Sequence, residues 1–92
     1  MSIGNAPFVS GRQISASGNL RATSGGMLGI FVSAASGTPT ITVYDDASTG
    51  TTTKLVDTFT PVAGTWYPLP FAFANGLNVL LGGTVSCTVG LI

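Results

Sequence analysis

The amino-acid sequence predicts an all-β fold, an antiparallel two-sheet β-sandwich, and three observations lead to this prediction. The 92 residues include 13 Gly and 5 Pro, so the longest stretches free of both are Thr40–Thr49 and Thr51–Thr60. Both stretches are rich in Thr and Val, whose branched side chains lose rotamer freedom in a helix. Apolar and polar residues also alternate with a period of two, which is typical of strands with one buried face.

The chain is short enough for one domain, because domains below roughly 100–150 residues rarely split. We expect an extended N-terminal arm at residues 1–11 and a single β-sandwich domain at residues 12–92. Residues 13–23 are expected to hold one or two weak strands around Gly18. The continuous apolar run Met27–Ala34 is expected to form a central strand.

Two further segments follow in the middle of the chain. Thr40–Tyr44 alternates cleanly, so Ile41 and Val43 are predicted to face inward and Tyr44 outward. Lys54–Phe59 also reads as a strand, but its apolar residues fall on both faces. A bulge or an edge position would resolve that conflict.

Trp66–Phe73 is the most aromatic segment, and we interpret it as a strand at the margin of a sheet. One face is predicted to turn inward and consists of Tyr67, Leu69, Phe71 and Phe73. Pro68 and Pro70 alternate with these side chains and remove backbone donors from one edge of the strand. An edge without donors discourages a further strand from pairing there.

The last two predicted strands are Leu77–Leu81 and Thr84–Leu91. Gly82 and Gly83 lie between them and predict a two-residue hairpin. Seven or eight short strands at roughly 8–12-residue intervals favour a two-sheet sandwich. A jelly roll is the arrangement we prefer, and an immunoglobulin-like sandwich is the alternative that the sequence does not separate from it.

Charged residues make up only 7% of the chain, against roughly 25% in an ordinary soluble domain. Three Lys or Arg and three Asp give a formal net charge of zero. Since no basic surface is available to neutralise phosphates, we expect no nucleic-acid partner. No apolar run approaches the roughly 18 residues of a membrane span, so we expect no membrane partner. No secretory leader is visible, and synthesis in the cytoplasm is expected.

The composition also argues against an enzyme, and we expect no catalytic residue and no cofactor. General acid–base catalysis usually depends on His or on a tuned carboxylate, and the chain has no His and three Asp. Cys87 lies in step with Val85 and Val89, as a small core residue does. Asp45 and Asp46 suggest calcium, but Ala47 breaks the calcium-loop pattern, so we interpret them as turn caps and expect no metal.

Two aromatic residues are candidates for a binding surface. Trp66 and Tyr44 are predicted to contact either a glycan, by stacking, or a partner protein. Partial burial of Trp66 at the sheet margin is the alternative. In the expected arm, Ile3, Pro7 and Phe8 are predicted to contact a partner, and a frayed terminus is the alternative.

The predicted outer surface is neutral and rich in small hydroxyl residues, with 13 Thr and 9 Ser in the chain. Soluble monomers usually carry a mixed charged surface, which limits self-association. Burial of a neutral surface strips no charge of its water. We therefore predict an assembly component, with a neutral soluble monomer as the alternative.

Several short motifs occur in the order Gly26-Met27-Leu28-Gly29-Ile30, Thr42-Val43-Tyr44-Asp45-Asp46, Leu69-Pro70-Phe71, Asn75-Gly76-Leu77 and Thr84-Val85 with Thr88-Val89. These motifs, in this order, resemble those of small tailed-phage virion proteins of about a hundred residues, and the similarity covers residues 14–92. The resemblance implies a capsid decoration or cement protein located in the virion. It implies as partners other copies of the chain, as a homotrimer, and the major capsid protein. The resemblance further implies that the capsid is the partner contacted by Ile3, Pro7 and Phe8 of the arm. A head-fibre or tail-fibre component is the alternative, and a carbohydrate-binding module is a further one that rests on Trp66 and Tyr44. No catalytic or ligand residue is transferred by the resemblance.

Overall fold

A computed structural model of the protein describes residues 10–92, which form one six-stranded antiparallel sheet and no helix. The strands are β1 (Ser10–Ile14), β2 (Gly18–Arg21), β3 (Gly25–Tyr44), β4 (Lys54–Phe59), β5 (Thr65–Phe73) and β6 (Leu77–Leu91). The prediction of an all-β antiparallel fold is therefore confirmed. Residues 10–92 contain no helix with the length and hydropathy needed to cross a membrane.

The two longest strands, β3 and β6, pair with each other along most of their length and form the centre of the sheet. At one end, β1 pairs with β6 and β5 pairs with β3, in the order β1-β6-β3-β5. At the other end, β2 pairs with β6 and β4 pairs with β3, in the order β2-β6-β3-β4. We call these the first and second portions of the sheet.

The two portions meet where the central strands are irregular. Ser36 pairs with Thr84 and Thr40 pairs with Gly82, so residues 37–39 of β3 lie opposite the single residue Gly83 of β6. Gly37 and Gly83 adopt φ angles of 72° and 76°, in the left-handed region that glycine occupies without a Cβ penalty. Extra residues of this kind bend a strand and increase its twist.

The predicted hairpin at Gly82 and Gly83 is therefore wrong. Both glycines lie inside β6, which continues from Leu77 to Leu91 and unites the two strands predicted there. β3 likewise unites the predicted strands Met27–Ala34 and Thr40–Tyr44. A positive φ serves a bulge as well as a tight turn, and the glycine pair alone does not distinguish the two.

One hydrophobic cluster receives side chains from both portions. Its buried members are Leu20, Met27, Ile30, Val32, Ile41, Val43, Phe73, Leu77, Val79, Val85, Cys87, Val89 and Leu91. The alternation predicted for Thr84–Leu91 is confirmed, because its four odd-numbered apolar residues are all in this cluster. The more detailed jelly-roll arrangement stays a prediction.

The edge strands β4 and β5 match their predicted positions. β4 pairs only with β3, so it lies at an edge of the sheet, and its register shifts twice. Both features agree with a strand whose apolar residues fall on both faces. β5 also pairs only with β3 and carries Pro68 and Pro70. The inward face predicted for β5 is partly wrong: Phe71 is 44% exposed. A register shift between Met27 and Gly29 interrupts the alternation next to it.

The beginning of the described chain lies in the sheet. β1 begins at Ser10, which pairs with Leu91, and Gly11 pairs with Gly90. These two residues, assigned to the arm from sequence, are therefore strand residues. The predicted contact residues Ile3, Pro7 and Phe8 lie outside the described residues.

Replacing Gly83 by Ala is expected to lower the free energy of unfolding by about 1–3 kcal/mol, as strained left-handed residues do. The φ of Gly83 is 76°, and an added Cβ would approach Pro39 Cα at 3.2 Å. Urea unfolding measures the effect. Gly18→Ala is the control, because its Cβ would meet nothing within 4 Å and its φ is not positive. An equal decrease in the free energy of unfolding in both variants would show that the left-handed conformation of Gly83 is not the source of the effect.

Candidate functional site

The outer face of the first portion, which points away from the core, carries an exposed aromatic pair. Phe31 and Trp66 are directly paired across β3 and β5, so they point to the same side of the sheet. They are 41% and 45% exposed. The chain neighbours of Phe31, Ile30 and Val32, point to the opposite side and are fully buried. An exposed aromatic pair of this kind is unusual on a small soluble protein and suggests a contact surface.

A row of glycines lies beside the aromatic pair on the same face. Gly11 pairs with Gly90, and Gly90 pairs with Gly29, so three neighbouring strands lack side chains at this level. Pro68 of β5 pairs with Gly29 and ends the row. Gly29 and Gly90 are buried, whereas Gly11 is exposed. We call Gly11, Gly90 and Gly29 the glycine row.

The indole of Trp66 leans toward this row. A Cβ added to Gly29 would lie 2.7 Å and 2.8 Å from two carbons of the six-membered ring of Trp66. The ring therefore occupies space that any side chain at position 29 would need. Gly29 thus lets the indole lie against the sheet while 45% of the Trp66 surface remains exposed.

The outer face of the second portion is covered. Tyr44 pairs with Asn78, which lies between the core residues Leu77 and Val79, so Tyr44 points away from the core as predicted but is not available as a contact residue. Tyr44 is only 7% exposed. Its cross-strand partner Asn78 is also buried and donates its side-chain amide to Gly50 O at 3.0 Å. Asn19 donates to Asp46 O at 2.9 Å and to Ser48 O. The loop 45–53 is therefore tied over this face.

Tyr44 and Trp66 consequently do not form a common platform. Trp66 is paired with Phe31 in the first portion, whereas Tyr44 is paired with Asn78 and Lys54 in the second. Sequence alternation gives the side of a strand on which a residue lies, but it does not reveal that a later loop covers that side. Trp66 remains a candidate contact, and its described neighbour is Phe31.

Asp45 and Asp46 cap backbone turns, as the turn interpretation predicts. The Asp45 carboxylate accepts the backbone N–H groups of Ala74 at 2.9 Å, Asn75 at 2.8 Å and Gly76 at 3.3 Å. The bonds from Ala74 and Asn75 are the main cause of a lowered Asp45 pKa.

Asp46 also caps a backbone turn, and this turn lies in its own loop. Its Oδ1 atom accepts the N–H groups of Ser48 at 2.8 Å and Gly50 at 3.1 Å. In residues 10–92 no three His, Cys, Asp or Glu side chains lie close enough together to hold a metal ion. Asp57, the third Asp of the chain, bonds Lys54.

The other charged side chains are also engaged inside the molecule. Arg12 donates to Leu20 O at 3.3 Å, and Arg21 donates to Ile92 O at 2.7 Å. Lys54 and Asp57 form an exposed ion pair at 2.8 Å, which raises the pKa of Lys54 and lowers that of Asp57. All six charged side chains of the chain thus bond another group of the same molecule, and the outer face of the first portion presents none.

Cys87 is fully buried in the core, as its alternation with Val85 and Val89 predicts. Burial raises the pKa of its thiol, so the neutral form is favoured. No His is available anywhere in the chain to activate it. Its position is that of a small hydrophobic residue.

Sequence reasoning missed Phe31 and the glycine row. The continuous apolar run Met27–Ala34 predicts a central strand, and this prediction does not separate the two faces of the strand. The available signal was the order Gly29, Phe31, Ser33 against Ile30, Val32, which separates two faces of one strand. Gly11 and Gly90 are far apart in sequence, so only the strand pairing brings them next to Gly29.

Comparison of the chain with protein-family models, with curated proteins and with solved structures finds no match.

Asp45→Asn is expected to lower the free energy of unfolding by about 1 kcal/mol, because its bonds to three N–H groups weaken. The folded-state pKa of Asp45 lies below its ordinary value of 3.8. Its stabilisation is therefore complete above that value and is lost as the pH falls through the folded pKa. Denaturant unfolding at a series of acidic pH values should show a flatter pH dependence for the variant.

Asp57→Asn is the matched control for this experiment. It removes a carboxylate from an exposed ion pair, and such pairs contribute little. If Asp57→Asn destabilised the protein as much as Asp45→Asn, the three backbone bonds of Asp45 would not be the source of the effect.

Proposed function

We propose that this chain is a non-enzymatic structural subunit of a bacteriophage virion, a capsid decoration or cement protein that oligomerises and binds the capsid shell. It is made in the host cytoplasm and acts in the virion. Its partners are other copies of itself, as a homotrimer, and the major capsid protein. Neither nucleic acid nor a membrane is among the proposed partners.

The observation that supports this proposal most is the neutrality of the exposed aromatic face. All six charged side chains bond groups within the chain, and Phe31 and Trp66 stand beside the glycine row. Such a face loses little hydration free energy when it is covered, because no ion must be dehydrated. The resemblance of the turn and core motifs to small tailed-phage proteins supports the virion as the setting.

The fold is proposed to be a jelly-roll-like sandwich in which the two portions of the sheet pack across the core. The shared hydrophobic cluster supports this arrangement, because Val32 and Cys87 of the first portion join Val43 and Val79 of the second. Bent central strands that pass between two layers are a recognised way to build such corners.

A second candidate function is carbohydrate binding, in a module or at the tip of a head or tail fibre. The exposed indole of Trp66 favours it, since aromatic rings with one accessible face stack on sugars. A glycan array with the purified protein and with Trp66→Ala tests it. Binding that depends on Trp66 would replace decoration by glycan recognition as the preferred function.

Attachment to capsids of the encoding phage is expected to persist at about 1 M salt, where the screening length is only about 3 Å. The reason is that the proposed contacts contain no charged group. Sedimentation of salt-washed particles, followed by detection of the protein in the pellet, measures retention. Release at high salt would contradict attachment through a neutral surface.

Phe31→Ser is expected to weaken capsid attachment about tenfold or more, as truncation of a central aromatic contact does. Val62→Ser is the matched control, because Val62 is an exposed apolar residue outside the strands. Titration of particles with labelled protein measures both affinities, and circular dichroism shows that both variants keep their β-structure. Equal affinities would exclude the aromatic face from the attachment site.

A further inference from the structure

We propose that an extended segment of the major capsid protein adds as a strand to β1, at the edge that faces away from β6. This contact rests on the proposed function, because it presupposes that the protein binds the capsid shell. The capsid segment must offer a row of unpaired backbone N–H and C=O groups. Addition of an extended segment to the edge of a sheet is a general mode of protein recognition.

β1 presents a regular edge to the outside of the sheet. All five residues of Ser10–Ile14 pair with β6 without a register shift, and within residues 10–92 β1 pairs with no other strand. Neighbouring residues of a strand direct their N–H and C=O groups to opposite edges. About half of the residues of β1 therefore turn these groups away from β6. The first four residues of β1 are exposed, so this edge is accessible.

The other three edge strands have features that discourage an added strand. β5 carries Pro68 and Pro70, which lack backbone donors. β4 has two register shifts and the exposed ion pair of Lys54 with Asp57. β2 has only four residues, and its register also shifts. Prolines, exposed charges, bulges and short length are the means by which sheets avoid pairing at their edges. β1 has no proline and no register shift, so its edge is the one suited to strand addition.

The one charged residue of β1 is bonded within the molecule. Arg12 pairs with the core residue Val89, so its side chain lies on the core side of the sheet. Its guanidinium donates to Leu20 O of β2 at 3.3 Å. Gly11 and Gln13 point to the opposite side and carry no charge. On the outer face, a strand added at β1 therefore meets only neutral groups.

The edge of β1 borders the aromatic face through which attachment is proposed. Gln13 pairs with Thr88, and Thr88 pairs with Phe31. β1 is therefore two strand spacings, or about 10 Å, from the strand that carries Phe31. A capsid segment at β1 would extend the sheet beside the surface that covers Phe31 and Trp66. Its backbone bonds would fix its position, and the aromatic side chains would add apolar contact.

A capsid segment suits this edge better than a second copy of the chain does. Pairing of β1 with β1 of another copy uses the same edge on both chains, so it closes at two copies and does not build the proposed trimer. Full-length antiparallel pairing would also set Arg12 opposite Arg12, and like charges in such positions destabilise a sheet. Any other edge of a second copy would be that of β2, β4 or β5, with the features described above.

Amide hydrogen exchange, measured by mass spectrometry on the full chain, tests the contact directly. The protein is compared free and bound to capsid particles of the encoding phage. We expect the outward amides of Ser10–Ile14 to exchange rapidly in the free protein and about tenfold or more slowly on the particles. The amides of β4 are the internal control and should exchange equally in both states. Unchanged exchange of β1 on the particles, or slow exchange already in the free protein, would overturn the proposal.

Proline substitution in β1 gives a second test. Arg12 and Gln13 direct their N–H groups to opposite edges, so proline removes an outward donor at one position and a bond to β6 at the other. Arg12→Pro and Gln13→Pro are compared with Arg12→Ala and Gln13→Ala, which keep the N–H group. The proline variant that retains its β-structure by circular dichroism should bind particles about tenfold or more weakly than its Ala control. Equal affinities would exclude strand addition at β1. The exchange experiment does not depend on whether these variants fold.

The outcome is separable from that of the proposed function. Absence of binding to the particles would remove the decoration role and, with it, strand addition. Binding without slower exchange in β1 would leave the decoration role standing and remove strand addition alone. Binding with slower exchange in β1 and unchanged exchange in β4 is the result that supports both.

Discussion

The pairing of β3 with β6 is the constraint on which the rest of the structure depends. These two strands contribute most of the buried side chains, and every other strand pairs with one of them. Because both strands continue through the irregularity at Gly37 and Gly83, one ladder serves two portions of the sheet. If β3 and β6 continued without this irregularity, the sheet faces of the two portions would lack a packing partner. Both portions contribute to one core, which matters in a short chain, because small domains bury a smaller fraction of their surface than large ones.

The same geometry decides which outer face is available. In the second portion, the connection after Tyr44 returns over the sheet and is held by Asn19 and Asn78. Asp45 fixes the far end of this connection to the turn before β6. In the first portion, the described residues leave Phe31 and Trp66 exposed. Thr88 pairs with Phe31 and Gln13 pairs with Thr88, so this face is neutral and carries both aromatic and polar side chains.

Sequence reasoning predicted the strand class, the edge position of β5 and the bounds of β4, because local alternation and proline placement determine them. It failed at Gly82 and Gly83, which lie inside β6, where the positive φ of Gly83 belongs to a bulge. It also failed at Tyr44, because alternation does not report what a distant loop covers. The glycine row was out of reach for a related reason. Gly11 and Gly90 become neighbours of Gly29 only through long-range pairing.

The chain has few charged residues, and the bonds that each of them makes determine whether it can contribute to recognition. Six charged residues could still form a recognition surface if their side chains pointed into solvent without partners. Here Arg12 and Arg21 donate hydrogen bonds to backbone carbonyl groups, and Asp45 and Asp46 accept hydrogen bonds from the backbone N–H groups of turns. Each of these groups already bonds a partner within the chain, although it stays in contact with water. This distribution supports the proposed contact surface, which depends on shape and apolar contact rather than on charge.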